Sequence, residues 1–558
     1  MHRNGLALTL AFILTFPFVL LIILTAGDTI GREEEQVFAL QAEGPLAAET
    51  EAAVRAYLEA AAPEVRLAVN EPGRRPDLTL AAAPPEGAPA VPVVRRYWVP
   101  AVPFTSRVDG VSAEDVRRVL RGEVTDWSAL GGDPGPVTVV LPVGEAAGVA
   151  AAAGVPEAAL AAAPHVRWVP AEGLRAAVAG DPAAFALVPL DRLDFHLHSL
   201  AVDGIDVVRG TGEVAAYPLA ERLWLVPAEG SRTAAGAAEQ AAAALQVRLP
   251  EAIRVFMLGT TIPSRCSLTR AEATGDVTSS WSAAQEFLLQ ADYTVLNLES
   301  PVSDLATPPR CRESFLFGAP TAVLPGFTRA GVDLVGLANN HFLDYGWEVA
   351  ADAIRSIQAA GIATVGAGPD LASARRPHVA VIKGVRFAFL AYDNVEPGDH
   401  AAPETPGVAP LDLATLAEDV AAARAQADVV VVMIQWIPEY QVDPEPAQQE
   451  AARAAVAAGA DLVFGDGPHV VQAVQFFPDA YVDYSLGNWI FDQDWSAATM
   501  EGVVQEAVWH GDRLVQVTLY PYVIADQHQP QLLPRGEGRG RAILQRIYEA
   551  TARLPQAR

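Results

Sequence analysis

Polar residues of the types that bind metals follow an apolar segment near the middle of this 558-residue chain. The segment VDLVGLA ends directly before Asn339, Asn340 and His341, and Asp344 comes three residues later. Amide oxygens, imidazole nitrogens and carboxylates are common ligands of divalent metals such as manganese, iron and zinc. The pattern predicts a site in which Asn340 and His341 bind one metal and Asp344 orients the histidine.

Other apolar segments also end in polar residues that are suited to a site. They carry Glu299 in VLNLES, Gln435 in MIQW, Asp466 and His469 in FGDGPHV, and Asn488 in SLGN. The predicted metal ligands are Glu299, Asn340, His341, Asp466 and His469. The predicted catalytic residues are His341 and Asp344, and the predicted ligand-binding residues are Asn340, Gln435 and Asn488. Asn488 also has a simpler interpretation as a turn residue beside Gly487.

These residues need a sheet that brings strand ends together. Apolar strands alternate with Ala-rich helices along the chain, which predicts an α/β class with mostly parallel strands. The pattern breaks after SRTAAGAAEQAAAALQVRLPEA and restarts near Ile253. We therefore predict one domain over residues 34–245 and a second over residues 253–548. In open parallel sheets, sites form at the C-terminal ends of the strands.

The first 33 residues predict a single transmembrane anchor. His2 and Arg3 precede an uncharged, mostly apolar run from Gly5 to about Gly27. This length is close to the roughly 20 residues that cross a bilayer. The basic flank comes first, which predicts a cell-membrane protein whose body is extracytoplasmic. A cleaved signal peptide is the alternative.

Charge and cysteine content limit the function classes. The net charge is −28, and Lys383 is the single lysine. No basic stripe is present, so nucleic acid is not an expected partner. Two cysteines are too few for a disulfide scaffold or a zinc knuckle. Cys266 and Cys311 are either bridged or two separate thiols, and export favours the bridge.

The first domain resembles the periplasmic phosphate-binding proteins, which have two α/β lobes. The resemblance rests on VPFTSRVDGVSAEDVRRVLRGEVTDWSALGG and on the later AFALVPLDRL and YPLAERLWLV. Ser112 and Asp115 form a capping-box pattern at a helix start. At the place where that family binds phosphate, the sequence reads VLPVGEAAG, with Glu145 instead of a hydroxyl residue. A carboxylate there would repel phosphate.

The second domain resembles the capsule-synthesis CapA family, which is associated with poly-γ-glutamate. The motifs NLES, ANNHFLDYG, GPHV and YSLGN carry the resemblance. It implies a metallophosphatase-like fold, a four-layer αββα sandwich of two sheets packed between helices. It also implies a polyglutamate-like polymer and its synthesis machinery as partners. In such folds a metal centre clamps ester oxygens and activates a water.

Several ligand positions depart from that family's pattern. Thr260 stands where the family has an aspartate, and Gln435 stands where it has a histidine. Asp466 and Gly467 replace two histidines of the G-H-H-P-H motif. These changes predict a degenerate site that holds one divalent metal or none.

Three functional hypotheses follow from the sequence. The first is a membrane-anchored role in the synthesis, export or attachment of a poly-γ-glutamate-type capsule polymer. The second is a metal-dependent hydrolase or transferase that acts on a phosphoester or an amide. The third is an extracytoplasmic receptor that binds an anion or another small ligand.

Overall fold

Alternating strands and Ala-rich helices give the chain the mixed α/β architecture that the sequence predicts. The computed structural model describes residues 36–43, 46–84, 87–307, 311 and 315–554. Across these ranges no helix is both long enough and apolar enough to cross a bilayer. The transmembrane segment predicted for residues 1–33 lies outside the described residues.

The N-terminal region, residues 36–245, is built on one large sheet. Its strands are β1 (Val37–Gln41), β2 (Arg66–Val69), β3 (Leu78–Ala81), β4 (Val91–Pro103), β5 (Gly110–Val111), β6 (Thr138–Pro142), β7 (Val166–Val169), β8 (Ala184–Pro189), β9 (Leu197–Ser199), β10 (Ala201–Val202) and β11 (Ala220–Pro227). Its helices are α1 (Ala47–Ala61), α2 (Ala113–Leu120), α3 (Ala146–Ala153), α4 (Glu157–Ala161), α5 (Leu174–Ala179) and α6 (Arg232–Leu245). The sheet order is β2-β1-β3-β11-β4-β8-β6-β7, with β9 paired to β4, and β5 pairs with β10 separately.

The long strand β4 makes this sheet mixed rather than mostly parallel, so the predicted strand direction is wrong here. β4 pairs antiparallel with β8, β9 and β11, and β11 also pairs antiparallel with β3. The segment VPVVRRYWVP was not predicted as a strand, because two arginines interrupt its apolar pattern. Separate apolar clusters form on the two parts of this sheet, one around Phe38 and Leu225 and one around Trp98 and Phe185.

Helix α2 shows how closely local sequence determines local structure. The Ser112 side chain accepts from the Asp115 backbone N–H, and the Asp115 carboxylate accepts from the Ser112 N–H. This is the predicted capping box, which satisfies two backbone donors at the helix start. Val116 and Val119 of the same helix are fully buried.

The C-terminal region, residues 252–554, contains two larger sheets. Its strands are β12 (Ala252–Thr261), β13 (Tyr293–Leu298), β14 (Leu334–Gly336), β15 (Ala363–Val365), β16 (Ala367–Gly368), β17 (His378–Ile382), β18 (Val385–Asp393), β19 (Gly407–Val408), β20 (Val429–Gln435), β21 (Leu462–Asp466), β22 (Val474–Phe476), β23 (Tyr481–Asp483), β24 (Asn488–Ile490), β25 (Glu501–His510), β26 (Arg513–Ala525) and β27 (Gln529–Leu532). Its helices are α7 (Arg265–Ala273), α8 (Gln285–Leu288), α9 (Leu324–Arg329), α10 (Gly346–Ala359), α11 (Leu371–Ala374), α12 (Leu413–Arg424), α13 (Pro446–Ala458) and α14 (Gly538–Arg553).

These two sheets pack face to face. The first has the order β15-β14-β13-β12-β25-β26-β27, with β24 paired to β12. The second has the order β17-β18-β20-β21-β23-β22. One apolar cluster joins the facing sides of both sheets and includes Met257 and Met433. Another cluster packs the outer face of the second sheet against α12 and α13, through Leu416 and Ala452.

Buried polar contacts join the N-terminal and C-terminal regions. Glu506 on β25 is fully buried and accepts from Arg209 Nε at 2.9 Å and from Arg254 Nε at 2.7 Å. The Ser199 backbone N–H donates to Gln516 Oε1 at 3.0 Å, and His510 Nε2 lies 2.8 Å from the Val208 carbonyl oxygen. These contacts set β25 and β26 directly against β9 and the loop that follows β10.

The single lysine lies in the C-terminal region beside the start of β12. Lys383 occupies the turn between β17 and β18 with a positive φ of 46°. Its Nζ donates to the Ala252 carbonyl at 2.7 Å and pairs with Asp292 at 2.9 Å. The ammonium group therefore ties the edge hairpin of the second sheet to the first strand of the other sheet.

Cys266 and Cys311 form a disulfide, with their Cα atoms 4.2 Å apart. The bridge links α7 to the segment between β13 and α9. Of the two possibilities that the sequence leaves open, the structure has the bridged form.

Candidate functional site at the strand ends

Parallel register brings the predicted residues of the C-terminal region to one edge. Strands β12, β13 and β14 are parallel neighbours, and so are β18, β20 and β21. Glu299 directly follows β13, and Asn340 follows β14 by a short loop. Gln435 ends β20 and Asp466 ends β21, where their backbones are register partners. The C-terminal ends of both sheets thus meet at the site, as strand order in α/β sheets leads one to expect.

Gln435 is the centre of a buried hydrogen-bond network. Its Nε2 donates to Glu299 Oε1 at 3.0 Å and to Asn340 Oδ1 at 3.0 Å. Its Oε1 accepts from Asn297 Nδ2 at 3.0 Å, and Asn339 Nδ2 donates to Asn297 Oδ1 at 3.0 Å. One amide therefore links the ends of β13, β14 and β20.

His341 is held by the acid that the sequence predicts as its partner. Its Nδ1 lies 3.1 Å from Asp344 Oδ2, and Asp344 also accepts from the Phe317 backbone N–H at 2.6 Å. The Phe317 ring packs against the imidazole with centroids 4.3 Å apart. Burial lowers the pKa of His341, but the Asp344 hydrogen bond and the charge of Glu299 outweigh it and raise the pKa overall.

His469 is positioned by Asn488, which is a strand residue rather than a turn residue. His469 Nδ1 lies 2.9 Å from Asn488 Oδ1, and Asn488 Nδ2 donates to the Thr499 carbonyl at 2.9 Å. Asn488 begins β24 and is fully buried, while Gly487 before it has the positive φ of 79° that the sequence suggests. Each of the two histidines is therefore oriented through Nδ1, which leaves Nε2 as the nitrogen for other partners.

Two buried carboxylates lie near each other at this edge. Burial raises the pKa of Glu299, and the nearby His469 and His341 partly oppose this. Burial, followed by the negative charge of Glu299, raises the pKa of Asp466 well above its usual range. Thr260 Oγ1 donates to Asp466 Oδ1 at 3.4 Å. Thr260 stands where the resembling family has an aspartate, and Asp466 stands where it has a histidine, so the two replacements contact each other.

Other polar residues at this edge were not predicted from the sequence. They are the buried Asn297, Asn339 and Asp393 and the partly exposed His400. Asp393 ends β18 and is fully buried, and its Oδ2 lies 3.0 Å from His400 Nε2. The available signal was the polar end of VRFAFLAYD, which has the same form as the other strand ends.

An exposed aromatic rim borders His469. Trp495 is 59% exposed and Tyr440 is 46% exposed, and their rings meet edge to face at 5.9 Å. The Tyr440 ring lies 6.0 Å from the His469 ring. Trp436 and Trp489 are completely buried and belong to the core.

The donor set does not fit a two-metal centre. The Gln435 amide lies between Glu299 and Asn340 and donates to both of the oxygens that a shared cation would bind. Within the described ranges, no three His, Cys, Asp or Glu side chains converge closely enough to hold a metal ion. His341 and His469 keep the second-nitrogen contacts that are typical of metal ligands. The site therefore has the oriented imidazoles of His341 and His469 beside the hydrogen-bond network of Gln435.

In the N-terminal region, a carboxylate of the chain itself occupies the segment that corresponds to the phosphate site of the periplasmic phosphate-binding proteins. Glu145 directly precedes α3 and pairs with Arg96 Nη1 at 2.7 Å. Arg95 Nη1 pairs with Glu221 at 2.9 Å. A helix N-terminus with a nearby arginine favours negative charge, and here the chain supplies that charge itself.

Comparison with known proteins identifies relatives of the C-terminal region. Residues 254–493 match the model of the family described as bacterial capsule synthesis protein PGA_cap. The capsule biosynthesis protein CapA of Bacillus anthracis is 32% identical over 226 residues, which cover 39% of this chain and 55% of that protein. The PGA biosynthesis protein CapA of Bacillus subtilis (strain 168) is 31% identical over 217 residues, 38% of this chain and 57% of that protein.

Solved phosphate receptors are among the structures to which the chain is similar. An ABC-type phosphate transport receptor from Vibrio cholerae aligns over 37% of this chain and 93% of its own, with 14% identity and a TM-score of 0.27. The chain spans just over half the length of the capsule proteins that it matches. By sequence, its residues 254–493 are similar to the bacterial capsule synthesis proteins of the PGA_cap family.

Proposed function

We propose that the chain acts in the synthesis, export or attachment of an acidic cell-surface polymer of the poly-γ-glutamate type. The C-terminal region does so by binding rather than by two-metal hydrolysis. The similarity to capsule biosynthesis proteins supports the polymer class. The observation that carries the binding role is the Gln435 amide, which satisfies Glu299 and Asn340 without a metal.

Membrane attachment and domain architecture belong to the same proposal. Residues 1–33 anchor the chain in the cell membrane by a single helix, which places the body outside the cytoplasm where a capsule polymer is handled. The N-terminal region is a degenerate relative of the two-lobed periplasmic binding proteins, and the C-terminal region is a metallophosphatase-like αββα sandwich. The uncharged run from Gly5 and the Arg96–Glu145 pair support these assignments.

The test is genetic complementation in the native host. The gene is deleted, and the γ-linked glutamate released from the washed cell surface is measured by amino-acid analysis. We expect the polymer to be lost on deletion and restored by the wild-type chain. We also expect it to be restored by His341→Ala, because a binding role does not depend on that imidazole as a metal ligand. His378→Ala on β17 is the matched histidine control.

A metal-dependent hydrolase or transferase is the second candidate function. The Nε2 atoms of His341 and His469 favour it, since each ring is oriented through Nδ1 and no residue that the structure describes bonds to Nε2. If His341→Ala folds normally but fails to restore the polymer, while His378→Ala succeeds, the enzyme is supported over the binding role. An unchanged polymer level in the deletion strain contradicts both functions.

A further inference from the structure

The exposed aromatic side chains of the C-terminal region are grouped around one cleft. Among the residues that the structure describes, the exposed phenylalanine, tyrosine and tryptophan side chains are those of Phe315, Tyr440 and Trp495. Tyr440 and Trp495 border His469, and Phe315 lies two residues before Phe317, which packs against the other imidazole of the site. Single apolar side chains on a surface need no explanation, whereas a group of them beside a cleft indicates an interaction site.

Tyr440 is held in its exposed position by a backbone conformation that bulky residues avoid. Its φ is 61°, in the left-handed region, and the nearby His469 has a φ of 58°. The Tyr440 backbone N–H donates to the Pro468 carbonyl at 2.8 Å, so the two left-handed residues are linked through neighbouring backbone. Such conformations are unfavourable for side chains of this size and are found mainly at functional sites. Because the Tyr440 ring stays exposed, its burial does not explain why the conformation is kept.

A buried amide fixes the other end of the Tyr440 side chain. Gln493 Nε2 donates to the Tyr440 hydroxyl at 3.2 Å. Gln493 Oε1 accepts from Asn488 Nδ2 at 3.2 Å, so the tyrosine is tied to the residue that orients His469. The Trp495 ring stands almost perpendicular to the tyrosine ring, at 79°. The rings of Tyr440 and Trp495 thus form an aromatic corner that is open to solvent.

The charges around this cleft are mostly negative. Glu299, Asp344 and Glu439 are the charged groups that act most strongly on His341. Arg265, which stacks on the ring beside His341, is itself buried and neutralised by an ion pair with a buried aspartate. Such a surface repels an acidic polymer, whereas hydroxyl groups can donate hydrogen bonds to carboxylates. The aromatic corner therefore suits an uncharged ligand that is rich in hydroxyl groups.

We propose that the aromatic corner of Tyr440 and Trp495 binds a sugar ring of an uncharged carbohydrate, with Glu439 as acceptor for its hydroxyl groups. One face of a pyranose ring carries C–H groups, whose slight positive charge matches the negative face of an aromatic ring. Its edge carries the hydroxyl groups that donate to a carboxylate. This inference goes beyond the proposed function, because the carbohydrate is a second ligand beside the acidic polymer.

The test is isothermal titration calorimetry on the full chain, purified in a detergent without a sugar headgroup. The titrants are cellotetraose and chitotetraose, which are uncharged oligomers of pyranose rings, and a short γ-linked glutamate oligomer. We expect at least one of the two sugars to bind, with an affinity that added salt leaves unchanged, since these ligands carry no charge. The glutamate oligomer should not displace the sugar.

Three variants identify the place of binding. Trp495→Ala should weaken binding of the sugar about tenfold, because it removes one wall of the corner. Tyr440→Phe keeps the aromatic ring and should bind the sugar as the wild type does. Leu289→Ala is the control, since it removes an exposed apolar side chain that directly follows α8, and it should leave binding unchanged. Circular dichroism during heating verifies that each variant is folded.

Failure of the sugar site is distinguishable from failure of the proposed function. No binding of either sugar, or equal affinity in the wild type and Trp495→Ala, overturns the site even if gene deletion abolishes the polymer. Trp495-dependent binding to phosphatidylcholine vesicles without any binding of sugar overturns it in favour of a membrane contact. Trp495-dependent binding of sugar with an unchanged polymer in the deletion strain supports the site and overturns the proposed cellular function alone.

Discussion

A single side-chain amide, that of Gln435, determines how the strand-end residues of the C-terminal region interact. Its Nε2 donates to both Glu299 Oε1 and Asn340 Oδ1. A histidine at this position would present a nitrogen lone pair or a single N–H instead. The hydrogen bonds that join the ends of β13, β14 and β20 thus depend on an amide side chain at this position.

Restoring metal-ligand types at two positions should restore metal uptake. We expect the double variant Thr260→Asp, Gln435→His to bind more manganese or zinc per chain than wild type, because it adds a carboxylate and an imidazole beside Glu299 and Asp466. Elemental analysis after gel filtration without chelator measures this. Gln435→Asn, which adds no imidazole, is the control and should show no gain. Two metals per chain in the wild type would contradict the interpretation of this site.

Asp483 should make the stability of the wild type fall as pH rises. Burial raises its folded-state pKa to about 8, whereas an unfolded aspartate titrates at about 3.9. Between these values the unfolded chain releases the proton and the folded chain retains it, so the free energy of unfolding decreases. The full cost is about 5 kcal/mol at pH 8 and absent below pH 4.

Asp483→Asn is the variant that tests this titration. Urea unfolding at pH 5 and pH 8 should show a smaller loss of stability between the two pH values than in the wild type. Asp512→Asn removes an exposed carboxylate on the β25–β26 turn and should leave the wild-type dependence intact. Parallel pH dependence in wild type and Asp483→Asn would show that this carboxyl is not the group that titrates.

At the scale of elements, the disulfide anchors the segment that carries Phe317 to α7. The bridge closes a separation of 45 residues, for which chain entropy predicts about 4 kcal/mol of stabilisation. We expect Cys311→Ala to lower the free energy of unfolding by about 2 to 4 kcal/mol. Adding reductant should bring the wild type to the same level and leave the variant unchanged. A further loss of the variant in reductant would point to a different cause.

The sequence predicts those elements whose local signals agree with their tertiary surroundings. The α2 capping box and the polar ends of β13, β14, β20 and β21 are examples, since parallel register alone brings such ends together. The sequence does not predict β4, because Arg95 and Arg96 interrupt its apolar pattern. These two arginines pair with Glu221 and Glu145, which are distant in sequence. The hydrogen-bond network of Gln435 is likewise non-local, so residue types suggested a site without revealing how it is satisfied.

At the scale of the whole molecule, buried charge couples the two regions. Burial by itself would raise the pKa of Glu506, but Arg209 and Arg254 outweigh it and lower the pKa. The three groups belong to different regions, since Arg209 comes from the N-terminal region. Removing one member of a buried ion network leaves charge uncompensated, which typically costs 3–5 kcal/mol.

Glu506→Gln should therefore loosen the contact between the regions. We expect the wild type to unfold in one calorimetric transition and the variant to show two, the first from the N-terminal region. Glu501→Gln is the control, because Glu501 pairs with Arg539 and Arg546 inside the C-terminal region. It should destabilise that region without separating the transitions. Two transitions already present in the wild type would contradict the coupling.

The lone lysine has a practical consequence for labelling this protein. Apart from the terminal amine, Lys383 is the one primary amine in the chain, and it is held by Asp292 and the Ala252 carbonyl. Amine-reactive dyes and crosslinkers would therefore modify one known place, at the turn before β18. A fluorophore attached there reports on the contact between the β17–β18 turn and the start of β12.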